Sequence, residues 1–403
     1  MNIRKSLFSV LSLLLVLTGC DYRNMEHDAP YDSYSSVTIL YTPAYNNLSS
    51  KIRRNVEMIC ENPLPMKSSD KAILLVTHSS VSDSDFDTPT EPMIIRISSD
   101  WSGSAVMDTL KRLNPKEQLL DKDVMRSCLT YIHDNFKSDH YGIVFSSHGT
   151  GWLPEDYYRA PVTKSLAGPE LKSFGATYEG TPSHIKASHE IIVQDMAKAI
   201  PMHMDYIIFD ACLMGGIEVA YELREVADII GFSQAEILAT GFDYSTFTSS
   251  LLVHNSPQEF CENYFRYYDS LSGSSRSATV SVIDCSKLQD LAAVCTKMFE
   301  RYRTGIASVK AENVQGFFTS GKHWFYDLQD ILVNAGISSS DLSSLSSAIN
   351  ECVLYKAHTE KILNSVPIRS FCGLSSYLPC NGSRYLDSFY KDLAWNKVTG
   401  LVE

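Results

Sequence analysis

The chain has 403 residues, 44% of them apolar, 11% aromatic and 20% charged. That is enough to bury one large core or two ordinary ones, and it excludes a disordered or fibrous polymer. The 47 acidic residues against 35 basic leave a net charge of −12, which argues against a nucleic-acid partner and favours a cationic substrate. Ten cysteines include no Cys-x-x-Cys pair, which argues against zinc ribbons and thioredoxin-like redox chemistry.

Arg4 and Lys5 precede an apolar run, Leu7 to Leu17, that ends in Leu17-Thr18-Gly19-Cys20. A positive start, a short apolar stretch and a polar exit form an export signal, too short for a good transmembrane anchor. The last four residues resemble the lipobox of bacterial lipoproteins. That resemblance implies cleavage before Cys20, lipidation of that cysteine, and a place on the outer membrane or cell surface. An ordinary secretory signal with an incidental Cys20 is the alternative. Residues 1–19 are then the signal peptide, and 20–36, polar with Pro30, a tether. The nine remaining cysteines are an odd number, so at least one stays a free thiol.

From residue 37 short apolar runs alternate with amphipathic stretches. Val37 to Tyr41, Ala72 to Val76, Met93 to Ile97, Tyr141 to Phe145, Tyr206 to Phe209, Ala227 to Gly231 and Ala278 to Ile283 read as strands, most of them buried on both faces. Helices are expected from Leu48 to Cys60 (capped by Asn46 or Asn47), Val124 to Phe136, His189 to Ile200, Met214 to Leu223, Gln258 to Tyr268 and Leu288 to Arg303. A long polar loop is expected from Gly149 to His184. This alternation implies an α/β fold, a mostly parallel sheet sandwiched between helices, with chemistry beyond the carboxyl ends of the strands. The pattern loosens after residue 305. Ser338 to Ser346 suggests turns, Lys356 and His358 a helix, and Gly373 to Leu378 a last strand. Residues 37–305 are read as the catalytic domain and 306–403 as a C-terminal subdomain of the same fold.

Two loops carry the chemistry. Ser146-Ser147-His148-Gly149-Thr150-Gly151-Trp152 follows one buried strand, and Asp210-Ala211-Cys212-Leu213-Met214-Gly215 follows another. Both leave the same edge of the sheet, so neighbouring strands would bring a histidine and a cysteine together as proton acceptor and thiol nucleophile. A helix opening at Met214 would favour the Cys212 thiolate through its dipole. The N–H groups of Gly149 and Cys212 are candidate oxyanion donors. Asp210, two residues before Cys212 on a strand, should share its face; the alternative is an acid that caps the following helix. A lone strand-end cysteine is usually a small buried hydrophobe. The pairing of two such loops gives it a function.

These two segments resemble the signature of the clostripain-like (C11) cysteine peptidases, in the clan of caspases, gingipains and legumain. His148 to Trp152 matches the family's His-Gly-x-Gly-Trp block, and Asp210 to Met214 its Asp-x-Cys-x-Met block. The likeness extends over Tyr41 with Asn46-Asn47-Leu48, Glu218 to Glu222, Ser281 to Asp284 with Lys287-Leu288, Gly373 to Tyr377, and Trp395. Tyr45 stands where an aspartate is usual, and Phe232 to Glu236 is only loosely similar to the family's Ser-Glu-Glu region. The resemblance implies a caspase-like fold and a peptidase with a His148–Cys212 dyad and an acyl-enzyme. It further implies Asp210 lining the pocket for an Arg or Lys P1 side chain, and activation by a self-made cut after Arg159 or Lys164. Calcium dependence is left open, with no residue assigned to the ion.

Asp83-Ser84-Asp85-Phe86-Asp87 imitates the start of a calcium loop, but Thr88 and Ile94 occupy positions that need Gly and Glu. His78, His133, His140, His184, His189 and His203 show no metal-ligand spacing, so no metal or other cofactor is expected. The expected partners are peptides with a basic P1 residue and the membrane, through Cys20. The rival reading is a catalytically silent surface lipoprotein that binds peptides in the same cleft.

Overall fold

The computed structural model describes residues 33–155, 157, 177–181, 184–318 and 324–403; of 85–87, 177–181 and 184–188 it describes the backbone alone. Cys20, Arg159 and Lys164 lie outside the described residues. In chain order the elements are β1 (Ser36–Ala44), α1 (Ser49–Cys60), β2 (Lys71–Ser82), β3 (Asp85–Pro89), β4 (Met93–Ser99), β5 (Ala105–Arg112), α2 (Lys122–Asn135), β6 (Tyr141–Ser146), β7 (Thr177–Thr181), β8 (His184–His189), α3 (Val193–Ala199), β9 (Met204–Asp210), α4 (Ile217–Leu223) and β10 (Ala227–Phe232). There follow α5 (Pro257–Asp269), β11 (Thr279–Asp284), α6 (Leu288–Arg301), α7 (Arg303–Ala307), β12 (Tyr326–Asp327), α8 (Leu328–Asn334), α9 (Ser339–Cys352), β13 (Val353–His358), β14 (Lys361–Ile362), β15 (Val366–Pro367), β16 (Ser375–Ser376), α10 (Arg384–Tyr390) and α11 (Ala394–Thr399).

Five parallel strands, in the order β10-β9-β6-β1-β2, form the middle of one sheet. Antiparallel strands extend it on both sides, β11 and β13 beyond β10, and β4 and β5 beyond β2. Every residue of β6 is buried, as is all of β1 after Ser36, because helices cover both faces. On one face α2, α3, α4, α11, α6 and α9 pack side to side; on the other, α1 and α5 lie against the strands, with a π-helical turn at Thr248–Val253 between them. The helices form for local reasons. The Asp121 side chain caps α2 by accepting from the N–H groups of Asp123 and Val124, and Met125, Cys128, Leu129 and Ile132 form its buried stripe. Ser256 and Pro257 start α5, which buries Phe260, Cys261, Tyr264 and Tyr268.

Several boundaries differ from the sequence reading. Ser338 to Ser346 opens a helix, α9: the Ser338 side chain accepts from the Asp341 N–H, and Leu345, Ile349 and Cys352 form a buried stripe that the serines disguise. Lys356 and His358 lie in a strand, β13, not a helix. That strand is at the sheet edge, where only alternate side chains are covered. Helix α4 begins at Ile217, later than expected, for a reason that belongs to the site.

Candidate active site

Strands β6 and β9 are neighbours in parallel register, and their last paired residues are Ser146 and Asp210. His148 and Cys212 each follow two residues later, so the two predicted residues leave adjacent strands at the same level. The backbones between them touch. A Cβ on Gly149 would lie 2.2 Å from the Cys212 carbonyl oxygen and 3.1 Å from its nitrogen, so only glycine lets the histidine loop settle on the cysteine.

His148 is half-buried. Its Nε2 is 2.9 Å from Asn47 Oδ1. An amide oxygen only accepts, so Nε2 carries the proton of the neutral ring and Nδ1 the lone pair. Asn47 was noted in the sequence only as a helix cap. Neither asparagine caps α1, whose N-cap is Leu48 with no side-chain cap; Asn46 Oδ1 instead accepts from the Leu48 N–H at 2.9 Å, in the turn before the helix. Behind the histidine, Ser147 Oγ donates to the Pro43 carbonyl at 2.7 Å, tying this loop to the one after β1.

Cys212 is fully buried. The Ile237 N–H donates to its sulfur at 3.0 Å, and the sulfur lies 3.6 Å from the Ile237 carbonyl oxygen. The cover is the segment after β10, which runs alongside the cysteine loop: Leu213 N–H donates to Ala235 O at 3.1 Å and Gly215 N–H to Ser233 O at 2.8 Å. Leu213 adopts φ +60°, an uncommon conformation for a residue with a side chain, and it turns the chain into this pairing. The extended pairing delays α4 to Ile217, with Gly216 as its N-cap. Cys212 therefore does not open a helix, and the expected dipole effect on its thiol is withdrawn.

Asp210 is also fully buried. It does not cap α4, whose first turn has no side-chain cap. Its Oδ2 accepts from Ser146 Oγ at 2.7 Å and from Tyr244 OH at 2.8 Å. Burial, then the charge of Asp210, pushes the Tyr244 phenol well above its usual range. Tyr264 on α5 is likewise held neutral, first by burial, then by the charges of Tyr268, Asp210 and Cys212. Asp210 and Cys212 thus both lie toward α5, while Phe209 and Ala211 line a pocket shared with Phe145, Val193, Met196 and the histidine loop, His148 included. Tyr244, Tyr264 and Ile237 were not singled out in the sequence. They reach the site through chain reversals that no local pattern marks.

Among the described residues, no group of three or more His, Cys, Asp and Glu side chains is arranged to hold a metal ion. Asp83, in the acidic loop, accepts from the N–H and hydroxyl of Ser50. None of the nine described cysteines is in a disulfide, and no described helix is long and apolar enough to cross a membrane.

The sequence profile of the clostripain family, peptidase family C11, matches residues 41–382. The chain belongs to the clostripain family of cysteine peptidases. Its fold is that of solved members. An inactive zymogen C11 protease from Parabacteroides distasonis is 24% identical, with a TM-score of 0.73, covering 91% of this chain and 98% of that one. A secreted C11 cysteine protease from Bacteroides thetaiotaomicron is 21% identical, with a TM-score of 0.73, covering 91% of this chain and 99% of that one. The latter is also known in complex with an irreversible peptide inhibitor. No curated protein matches the sequence.

Proposed function

We propose that this clostripain-family chain is an exported, lipid-anchored endopeptidase that cuts after Arg or Lys through a His148–Cys212 dyad, and that the form described here is its latent state. The observation that carries the dyad is the Ser146–Asp210 register, with the Gly149 backbone seated on Cys212. His148 takes the thiol proton, and the thiolate attacks the scissile carbonyl. The N–H groups of Gly149 and Cys212 hold the oxyanion, and His148 returns the proton to the leaving amine. Water, activated by the same histidine, then hydrolyses the acyl-enzyme. Asn47 keeps the ring in the tautomer with its lone pair on Nδ1.

Latency follows from the Ile237 cover: a fully buried sulfur cannot meet a substrate carbonyl until Ser233–Ile237 shifts. Cleavage after Arg159 or Lys164, between the two loops, is the proposed trigger. A basic P1 residue is supported by Asp210, which shares the thiol's face and caps no helix. Export and anchoring rest on the signal with its Leu-Thr-Gly-Cys ending; a fold relative from Bacteroides thetaiotaomicron is described as secreted. The buried thiol also fits the rival reading, a silent peptide-binding lipoprotein. One experiment separates them: the chain and its Cys212→Ala variant are assayed on fluorogenic peptides ending in Arg, Lys and Asp, before and after limited trypsin treatment. Turnover of the Arg and Lys peptides that the variant lacks supports the peptidase; no turnover in any form supports the rival.

A further inference from the structure

Glu218 lies in the first turn of α4 and is fully buried. Among the described residues no lysine or arginine neutralises it. Its Oε1 instead collects three donors from the C-terminal part of the chain: Ser376 Oγ and Tyr377 N–H, each at 2.9 Å, and Tyr390 OH at 2.6 Å. Burial holds the carboxyl above its usual range, and these donors draw it back down. Oε2 has no hydrogen-bond partner among the described residues.

A second orphan stands beside it. Trp152 ends the histidine loop and is fully buried, with its ring edge-on to those of Tyr377 and Tyr390 at 5.0 Å each. Its indole Nε1 has no partner among the described residues either. Both groups lie close around Gly216, which has no room for a side chain: a Cβ there would lie 2.9 Å from Glu218 Oε2, 3.6 Å from Ser375 Oγ and 3.8 Å from Trp152 Cδ1. A buried indole N–H and a buried carboxylate oxygen, both unpartnered and both beside one glycine, are a donor and an acceptor that a single internal water would satisfy together. Ser375 also fastens the cysteine loop, since its N–H donates to the Gly215 carbonyl at 2.9 Å.

We propose that Glu218 is a positioning residue for the peptidase reaction, joining the histidine loop to the cysteine loop through a water shared with Trp152, and both to the C-terminal segment through Ser376, Tyr377 and Tyr390. The inference rests on the His148–Cys212 reading. The histidine loop has backbone contacts to the cysteine at Gly149, but its far end is fixed at Trp152. Freeing that end lets His148 drift from the sulfur, and a misplacement of about 1 Å can cost on the order of 100-fold in rate. The C-terminal segment is then part of the catalytic apparatus, although it supplies no group that touches substrate.

The test uses the trypsin-activated full chain. Glu218→Ala should lower kcat at least 30-fold with KM changed less than threefold. Glu218→Gln, which keeps an acceptor for the three donors and can still hold the water, should recover most of that loss. Tyr390→Phe, which keeps its ring, and Trp152→Phe, which keeps an aromatic ring of smaller size, remove one donor each and should each lower kcat three- to tenfold. Because Glu218→Ala can fail to fold, these two carry the decision in that event. The separating readout is the pH dependence of Cys212 alkylation by iodoacetamide, since a displaced His148 moves its acid limb to higher pH, whereas mere loss of packing lowers only the melting temperature. Variants that melt earlier but keep the wild-type kcat and alkylation profile overturn the proposal. A high-resolution crystal structure with no water within hydrogen-bonding distance of both Glu218 and Trp152 overturns the bridge. Activity surviving in Cys212→Ala would instead refute the dyad.

Discussion

Ser146 donates its hydroxyl to Asp210 across the last rung of the β6–β9 ladder, at 2.7 Å. The same rung sets the height at which two loops leave the sheet, and so brings His148 level with Cys212. Changing either residue of the proposed dyad to alanine should therefore lower kcat/KM by at least about 1,000-fold, with melting shifted by no more than a few degrees. Asn47→Ala should cost about tenfold in kcat, since the ring loses the acceptor that fixes its tautomer. Purified variants assayed on an Arg-terminated peptide check all three. Near wild-type turnover in His148→Ala would remove the histidine from the mechanism.

In the proposed reading Asp210 recognises a cation while already accepting two hydroxyls. A charge-assisted, two-point contact with arginine contributes on the order of 2–5 kcal/mol of discrimination. Asp210→Asn should reduce kcat/KM for Arg substrates tenfold or more and spare alkylation of Cys212. Tyr244→Phe removes one donor from the buried carboxylate, a cost of about 1–3 kcal/mol. It should lower the melting temperature and blunt the Arg preference less than Asp210→Asn does. A mutant series that loses stability but keeps its Arg preference makes Asp210 structural.

The strands were legible because burial on both faces writes itself as unbroken apolar runs such as Tyr141-Gly-Ile-Val-Phe145 and Tyr206-Ile-Ile-Phe209. The two chemical loops were legible because each follows such a run. The start of α4 was not: it depends on Leu213 pairing with Ala235, a contact between segments far apart in the chain, and on a left-handed φ that leucine does not advertise. Helix α9 was missed because its solvent face is serine, although Leu345, Ile349 and Cys352 keep helical spacing. Ile237 and Tyr244 reach the site through tertiary contacts alone, and Glu218 was marked only as part of a family likeness, because residue type and spacing do not show what each one touches.

The proposed latch at Ile237 makes reactivity depend on processing. In the uncut chain, Cys212 is fully buried, whereas Cys380 is exposed and Cys60 half-buried. Iodoacetamide should label those two slowly, since burial raises both thiols, and should leave Cys212 unlabelled. Cys128, pushed up to about 12 by burial, should stay protected in either form. After a cut following Arg159 or Lys164, Cys212 should become the fastest-reacting thiol by at least tenfold. Peptide mapping by mass spectrometry, before and after activation, reads this directly. Rapid labelling of Cys212 in a chain shown to be intact would mean that the cover is not a latch.

Acid should weaken the fold through His78. This residue of β2 is fully buried, stacked on Tyr45 at 5.0 Å between ring centres. Burial, then the nearby His189, lowers its pKa to about 4 from an ordinary 6.5. The folded state therefore holds fewer protons at this site than the unfolded state between those two values, and stability rises with pH across that window. Above about pH 6.5 the contribution is complete; it is lost as pH falls toward 4, by up to about 3 kcal/mol. The site lies on the β2–β3 hairpin and close to His189, at the end of β8 within the segment that joins the two chemical loops. Loss of its packing should loosen the approach to the active site before the sheet melts. His78→Phe keeps a flat ring against Tyr45 and removes the titration. Its melting temperature should fall less than the wild type's between pH 6.5 and pH 4, and the two curves should diverge most at the acid end. Parallel curves for the two proteins across that range would assign the acid sensitivity to other groups.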